Sequence, residues 1–439
     1  MPNTMTGTGA IRRRGTGTLV LAGALFAAGA CKGILDVENP NNVSEGSLGD
    51  PQAAVQQANG VQASTVRMLS AIATPYATAT DELDWTGSRE AWNELEKGVI
   101  SDYLNEFTDL AFTYVGEARY LGDETIKRLE GFNSQGRLRD RSALVRAYLY
   151  TAIVHAAIAD MFDDFAFSSK QTPAKPLGRP NMSQLYDKAI GYLDKAVALD
   201  DGTFRYSLIA TRARIKHARA VWRKITPQGQ TPANPLVSDA GANADATLAL
   251  GLGAGPDDVF EMKSNIEAQP GINIWFEVNG RNEMAIGNVY RTLVDPITGQ
   301  RDPASAAIIA RFEDRETASQ DGFFTIVSDR ELELILAEAA LAANDLVTFA
   351  THINAVRSLD GLPAWTGQIP ALEILKFERK ANLLFQMRRL ADLYRFGEKV
   401  AEWAPDPNFA SAFSTPGLLF PIPLVERQAN PCIINPAAC

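Results

Sequence analysis

The chain has 439 residues, of which 46% are hydrophobic and 21% charged, and these ordinary globular values exclude a disordered or collagen-like protein. Its length permits two or three domains, or one large helical domain. The net charge is -10, with 52 Asp and Glu against 42 Lys and Arg. An acidic chain binds phosphate poorly unless its basic residues cluster, and the one tight basic run is Arg12–Arg14. Nucleic-acid binding is therefore excluded.

The first 30 residues have the layout of a secretory signal peptide. Arg12–Arg14 precede an apolar run, Leu19–Ala30, which is shorter than the ~20 apolar residues of a transmembrane helix. The small residues directly before Cys31 resemble a bacterial lipobox, whose cysteine takes a diacylglycerol and becomes the mature N-terminus. Lys32, in place of an aspartate that retains lipoproteins at the inner membrane, favours the outer membrane. We predict a signal peptide at 1–30 and lipidation of Cys31; the alternative is a buried N-terminal helix.

Helical spacing dominates the chain after a polar lipid tether at 31–50. From 51 to 225, apolar residues recur three and four positions apart, which predicts amphipathic helices. In the clearest pair, Asn181 or Ser183 caps the first helix and a short turn leads to the second. This pair resembles a tetratricopeptide (TPR) hairpin, which is stable when such pairs stack. The predicted helices cover 55–72, 107–121, 144–158, 185–197 and 208–222.

The chain changes character from 226 to 325, where Pro and Gly interrupt the sequence, and we predict an irregular, loop-rich insert there. Helical spacing returns within 326–400, at 332–343, 347–356, 372–385 and 390–396. A Pro-rich tail, 401–439, carries Cys432 and Cys439, which can form a disulfide in an oxidising compartment. The sequence has no Cys-x-x-Cys, and its three histidines are far apart, so we expect no metal site and no cofactor.

The C-terminal third carries a family resemblance. Glu378–Gly397 resembles, without a gap, the Glu-Arg-Arg-x-Glu-Leu-x-Phe-Glu-Gly-x-Arg-x-x-Asp-Leu-x-Arg signature of the SusD/RagB family. Other segments are similar to family motifs in the family's order: Leu35–Val37, Leu336–Ala339, Ile353–Arg357, and Leu419–Pro423 followed by Glu426, Asn430 and Pro431. The chain departs from the signature at Asn382, Gln386, Met387, Leu390 and Ala391. We interpret Glu378, Arg379, Arg389 and Asp392 as a scaffold of ion pairs rather than catalytic groups.

The resemblance implies a mainly α fold, in which a TPR-like superhelix of helical pairs adjoins a loop-rich ligand-binding half within a single domain, 51–439. It also implies a lipoprotein of the outer membrane, exposed at the cell surface, that captures an oligosaccharide or another nutrient. Such a protein is not an enzyme. Its partner is a TonB-dependent transporter of the SusC type, which it covers as a lid.

Two segments combine aromatic and polar residues as sugar recognition requires, because sugars present flat C–H faces flanked by hydroxyls. Asp81–Trp92 follows the first long helix and resembles the family's ligand-facing loop at that place. Asn273–Arg281 lies in the irregular insert. We predict that the ligand contacts Trp85, Trp275 and Arg281, and after them Asp81, Arg89 and Trp92. The alternative is that these aromatic rings fill the core, as we expect of Trp222 and Trp403.

Two other functions stay open. A membrane-anchored glycan hydrolase needs two carboxyl groups at a fixed separation, and adjacent acids occur at Asp81, Glu82 and Asp84, at Asp163 and Asp164, and at Asp257 and Asp258. Adjacent acids are more often solvated turns or helix caps. The third class is a TPR-like scaffold that binds only proteins. A glycan pull-down separates the three, because a binder retains intact glycan, an enzyme shortens it and a scaffold ignores it.

Overall fold

The structure, a computed structural model, describes residues 45–169, 171–264, 273–314, 322–403, 415–435, 437 and 439. The predicted signal peptide, Cys31 and most of the predicted tether lie outside the described residues. The chain divides into two units, Met1–Gly49 and Asp50–Cys439. A short 3-10 helix, Glu45–Gly49, belongs to the first unit, and the elements below belong to the second.

Long helices form the N-terminal half of this second unit, and they confirm the helices predicted from apolar spacing. They are α1 (Ala54–Thr78), α3 (Glu106–Ser134), α4 (Ser142–Met161), α5 (Ser183–Leu199) and α6 (Arg205–Ile225), with the short α2 (Glu90–Glu96) before α3. Consecutive helices from α3 to α6 pack against each other, and α1 packs on α3 and α4. Among the described residues α4 alone is long and apolar enough to cross a membrane, and 89% of that stretch is buried inside the protein.

The α5–α6 pair shows how the apolar spacing becomes packing. Leu185, Leu193 and Leu208 are completely buried between helices. Asp200 fixes the turn, because its carboxylate accepts hydrogen bonds from the backbone N–H groups of Phe204 (3.0 Å) and Gly202 (3.1 Å). The predicted cap is wrong: α5 begins after Met182, and no described side chain caps it. Asn181 lies instead in a separate 3-10 turn, where its amide donates to the carbonyl of Leu177 at 2.7 Å.

The segment 226–325 is more regular than the sequence predicted. It contains α7 (Ala240–Leu250), α8 (Asn288–Arg291), α9 (Pro303–Glu313) and a π-helical turn, Phe276–Gly280. The sequence of α7 is rich in alanine and has no apolar stripe, so its periodicity gave no signal. Both longer helices are capped by aspartate: Asp239 accepts from the N–H of Ala242, and Asp302 accepts from that of Ser305.

Short antiparallel strand pairs join distant parts of the described chain. Strand β1 (Leu83–Trp85) pairs with β3 (Met284–Ile286), so that Leu83 lies opposite Ile286. Strand β2 (Val259–Lys263) pairs with β4 (Phe323–Ser328), with an irregularity in the register between Phe260 and Glu261. Because β1 directly follows α1, the first pair attaches the middle of the chain to the N-terminal helices.

The C-terminal helices agree with the sequence except at one end. They are α10 (Asp329–Ala342), α11 (Leu346–Leu359), α12 (Ala371–Asn382) and α13 (Arg389–Phe396), and the predicted tail holds the short α14 (Leu424–Ala429) and α15 (Pro431–Ile434). The predicted helix to Phe385 ends instead at Asn382, because Phe385 (φ 62°) and Met387 (φ 54°) adopt left-handed conformations that a helix excludes. Cys432 and Cys439 form a disulfide, with Cα atoms 5.6 Å apart.

The charged residues of the signature form a scaffold of ion pairs, as predicted. Arg379 pairs with Asp392 at 2.8 Å, and Arg357 pairs with Glu378 at 2.6 Å. Arg389 pairs with a residue outside the signature, Asp81, which precedes β1. These pairs are buried rather than at the surface, so the loss of one member leaves an uncompensated charge.

Candidate ligand-binding site

The β1–β3 pair places the two predicted ligand-binding segments side by side. The N–H of Thr86 donates to the carbonyl of Glu283 at 3.0 Å, which continues the ladder beyond β1. The Glu283 carboxylate then accepts from the N–H groups of Ser88 (3.0 Å) and Arg89 (3.3 Å). Segments almost 200 residues apart in sequence therefore share one region, as the sequence analysis required.

Glu277 joins the two predicted arginines. Its carboxylate is completely buried and lies 3.6 Å from Arg281 and 3.9 Å from Arg89. Neither oxygen has a hydrogen-bond partner among the described residues. Burial raises the pKa of Glu277 to about 7, although both arginines act in the opposite direction. Arg281 remains 40% exposed and can contact a ligand, whereas Arg89 also lies over the ring of Phe107, 4.2 Å from its centroid.

Two predicted ligand contacts are wrong because the structure buries them. The Trp92 ring is completely buried and stacks on Phe107, with centroids 3.5 Å apart. Asp81 is 6% exposed and pairs with Arg389 (2.7 Å) and Lys380 (3.0 Å). Burial alone would raise the pKa of Asp81, but the two cations outweigh burial and hold it at about 2. Both residues therefore stabilise the interior of the protein next to the predicted segments.

Trp85 is half-buried at the end of β1, where its ring packs against the core. Its backbone N–H donates to Glu96 at 2.6 Å, and its indole N–H has no partner in the described part of the chain. Trp222 and Trp403 are buried, as expected of packing residues. Trp275 is also buried, with 4% of its surface exposed, and it remains a candidate for ligand contact because it lines the cavity described next. Trp85 remains a candidate because it is only half-buried.

Trp275 lines a cavity of about 120 Å³ that is partly open to solvent, and we call it the Trp275 cavity. The other five predicted contacts are not among the residues that line it. Aromatic rings form one wall: Trp275 stacks on Phe312, with centroids 5.4 Å apart, and meets Phe324 edge to face, with centroids 4.7 Å apart. Phe385 continues this wall, 4.8 Å from Phe312. Its described lining comprises Ala73, Ile274, Trp275, Ile308, Arg311, Phe312, Gly322, Phe323, Phe324, Thr325, Leu384, Phe385 and Gln386.

Two local features hold the indole in place. The backbone N–H of Trp275 donates to the side-chain oxygen of Asn273 at 2.9 Å, at the start of the π-helical turn. Gly322 lies against the ring, and a Cβ there would be 2.0 Å from Cε2 of Trp275. The ring position therefore depends on a glycine at 322.

Polar groups stand at the edge of the Trp275 cavity. Arg311 forms a bidentate pair with Glu261 (2.6 and 2.8 Å), and the hydroxyl of Thr325 donates to the same carboxylate at 3.2 Å. The Gln386 amide donates to the carbonyl of Asn382 at 3.0 Å. Its side-chain oxygen is buried and has no hydrogen-bond partner in the ranges that the structure describes. That oxygen is the acceptor that a ligand would satisfy.

The loop that presents Phe385 and Gln386 is fixed from the N-terminal half of the domain. The N–H of Phe385 donates to the Glu82 carboxylate at 2.7 Å, and Arg214 donates to the carbonyl of Gln386. Burial raises the pKa of Glu82 to about 8, against the lowering effect of the Phe385 N–H. The left-handed backbone at Phe385 turns its ring toward Phe312.

Sequence reasoning missed Arg311, Phe312, Phe385 and Gln386. The first two lie at the end of α9, inside the insert that was predicted to be irregular. The last two lie in the signature, whose residues were interpreted as structural. The available signal was Gln386 itself, a neutral amide where the signature carries a glutamate.

The chemistry of the site is that of a binding pocket. Aromatic faces with a few polar groups at the edge suit a ligand with apolar faces and hydroxyls. Among the described residues, no group of three or more His, Cys, Asp or Glu side chains could hold a metal ion.

Comparison with solved structures identifies the fold. A SusD superfamily protein from Bacteroides vulgatus matches 88% of this chain and 98% of its own, with a TM-score of 0.61 and 14% identity. One from Bacteroides fragilis matches 88% and 99%, with a TM-score of 0.60 and 14% identity. A SusD-like carbohydrate binding protein from Bacteroides vulgatus matches 79% and 83%, with a TM-score of 0.54 and 13% identity. No protein-family model and no curated protein matches the sequence. The chain has the SusD-like fold, which confirms the mainly α architecture predicted from its sequence.

Proposed function

We propose that this chain is a glycan-binding lipoprotein, anchored in the outer membrane through Cys31 and exposed at the cell surface. It captures an oligosaccharide and passes it to a TonB-dependent transporter of the SusC type. The observation that carries the proposal is the aromatic Trp275 cavity, open to solvent, on a SusD-like fold. A carbohydrate binding protein of the same fold and the signal-peptide layout of residues 1–30 support it.

Binding without cleavage fits the state of two of the acidic residues considered for a hydrolase, Asp81 and Asp257. A glycosidase needs one carboxyl group to protonate the leaving oxygen and another to attack or to activate water. Asp81 is held by Arg389 and Lys380, and Asp257 pairs with Arg330 at 2.8 Å. Carboxylates committed in this way are poorly placed for either role.

The two parts of the domain have separate roles in this proposal. The packed helices α1 to α6 are the rigid part and contact the transporter. The segment after α1 and the insert around Trp275 hold the glycan. Copurification of the full-length protein with the TonB-dependent transporter encoded by a neighbouring reading frame tests the partner, and a transporter that never copurifies contradicts it.

Calorimetry with malto-, xylo-, manno- and galacto-oligosaccharides tests the ligand. We expect one series to bind and Trp275→Ala to weaken it severalfold or more, because an aromatic contact contributes about 0.5–1.5 kcal/mol beyond its buried area. Trp85→Ala tests the second predicted tryptophan, which lies outside the lining of the Trp275 cavity. Since Trp275 is packed on two rings, its replacement also lowers the melting temperature.

Trp222→Ala is the matched control, because Trp222 is similarly buried but is not among the residues lining the cavity. It should lower the melting temperature and leave glycan affinity unchanged. Chromatography of the bound glycan should return it at its original length. A wild-type protein that shortens one of the four series, or that binds no carbohydrate probe at all, contradicts the proposal.

A further inference from the structure

A second cavity of about 230 Å³ adjoins the Trp275 cavity, and we call it the polar cavity. Of the described residues, Ile308, Arg311, Thr325 and Gln386 line both cavities. The two spaces therefore adjoin each other at these four residues.

The polar cavity offers the hydrogen-bonding groups that sugar hydroxyls use. Arg330 pairs with Asp257 (2.8 Å) and Asp360 (2.6 Å) and donates to the side-chain oxygen of Asn382 (2.8 Å). Glu261, paired with Arg311, stands on the same wall. Each carboxylate has more lone pairs than its arginine uses, so hydroxyls can be accepted without breaking the ion pairs.

The described lining of the Trp275 cavity offers few such groups for a bare sugar ring. Its polar lining side chains, among the described residues, are Arg311, Thr325 and Gln386. Arg311 and Thr325 both donate to Glu261, which leaves the Gln386 oxygen as the unpartnered group. A ring with several hydroxyls would lose its water there and leave most of those hydroxyls unpaired, which opposes binding.

We propose that the ligand is a glycan that carries a hydroxylated aromatic substituent. The aromatic ring stacks in the Trp275 cavity against Trp275 and Phe385, its hydroxyl donates to the side-chain oxygen of Gln386, and the sugar hydroxyls bind in the polar cavity. This inference rests on the proposed function and narrows its ligand to aryl-substituted glycans.

The probes are the methyl, phenyl and 4-hydroxyphenyl glycosides of glucose, galactose, mannose and xylose, with phenol alone, titrated by calorimetry. For at least one sugar the phenyl glycoside should bind about tenfold tighter than the methyl glycoside, because its ring fills the aromatic wall. The 4-hydroxyphenyl glycoside should gain a further factor of about five from the hydrogen bond to Gln386. Phenol alone should bind much more weakly than the phenyl glycoside.

Variants assign these gains to the two groups. Trp275→Leu should abolish the phenyl gain, and Gln386→Leu should abolish only the hydroxyl gain. Trp365→Leu is the control: this buried tryptophan packs on Phe349 (5.0 Å) in a separate cluster, so both gains should persist. If Trp275→Leu does not fold, Gln386→Leu decides alone.

The outcomes separate this inference from the proposed function. Equal affinity for methyl and phenyl glycosides, a phenyl gain that survives in Trp275→Leu, a hydroxyl gain that survives in Gln386→Leu, or phenol that binds as tightly as its glycoside each overturns the inference. Oligosaccharide binding without an aryl gain overturns it while leaving the proposed function intact. A protein that binds neither oligosaccharides nor glycosides overturns both.

Discussion

Replacing Asp81 by asparagine distinguishes a structural role from ligand contact. The Asp81 carboxylate accepts from Nε and Nη2 of Arg389, both at 2.7 Å, and pairs with Lys380 at 3.0 Å. Asparagine keeps the shape of the side chain and removes its charge. Among the described residues Arg389 would then retain Glu398, at 2.7 Å, as its carboxylate partner.

The pKa of Asp81 sets the magnitude. It is about 2 in the folded chain against 3.8 ordinarily, because the two cations outweigh burial. One pKa unit is worth about 1.4 kcal/mol, so ionisation of Asp81 stabilises the fold by roughly 2–3 kcal/mol. Breaking a buried pair outright costs about 3–5 kcal/mol. Since Glu398 still compensates Arg389, we expect Asp81→Asn to lower the free energy of unfolding by about 2–3 kcal/mol.

The pH dependence has a definite sign. The folded pKa of Asp81 lies below the unfolded value, so the stabilisation is complete above about pH 4 and is lost as the pH falls through about 2. The difference in unfolding free energy between wild type and Asp81→Asn should therefore shrink between neutral pH and strongly acidic pH.

Urea unfolding with calorimetry of glycan binding measures both effects. Glu373→Gln is the matched control, since Glu373 pairs with Lys376 at the surface (3.1 Å) with its side chain 54% exposed. That control should cost less than about 0.5 kcal/mol. If Asp81→Asn unfolds at the wild-type urea concentration but binds glycan weakly, Asp81 contacts the ligand and the structural reasoning is refuted.

Three further predictions concern the ends of the chain and the cavity wall. Cys31→Ser should move the protein from the membrane fraction to the soluble fraction, and a variant that stays quantitatively in membranes contradicts lipidation. Cys432→Ser should change the free energy of global unfolding by less than the ~2.5 kcal/mol that closing so short a loop can give, because the Cys432–Cys439 loop lies at the terminus. Non-reduced peptide mapping of the wild-type protein should show the cross-link, and free thiols at these two cysteines would count against it. Gly322→Ala should displace the Trp275 ring and lower stability by about 1–3 kcal/mol, with weaker glycan binding; unchanged affinity would place the ligand elsewhere.

The sequence predicted elements whose signal is local. The α5–α6 pair was predicted because each helix has its own apolar stripe. The alanine-rich α7 was missed because burial against α6 and α10, rather than a stripe, stabilises it. The end of α12 was missed because the break after Asn382 depends on a hydrogen bond to Glu82, far away in the sequence.

The site was predicted only in part for the same reason. The two tryptophan-bearing segments stood out by composition, and the structure brings them together. Packing decided which residues remain candidates. Trp275 is buried but lines a cavity, whereas Trp92 stacks on Phe107 and Asp81 pairs with Arg389, and the spacing of residues in the sequence shows none of this. Gln386 was overlooked because its importance lies in an unpartnered oxygen, which is a property of packing rather than of sequence.

The hydrogen bond between Glu82 and Phe385 has a consequence for biogenesis, because it joins residues 303 positions apart. A ribosome delivers Glu82 long before Phe385, and contacts that close so long a loop form late. Until then the Glu82 carboxyl group, which is buried in the folded protein, lacks its hydrogen bond to Phe385, and the apolar residues of the N-terminal helices are incompletely buried. A nascent or truncated chain is therefore expected to depend on chaperones and to lack ligand affinity. Under the proposed function, ligand capture requires the fully synthesised chain.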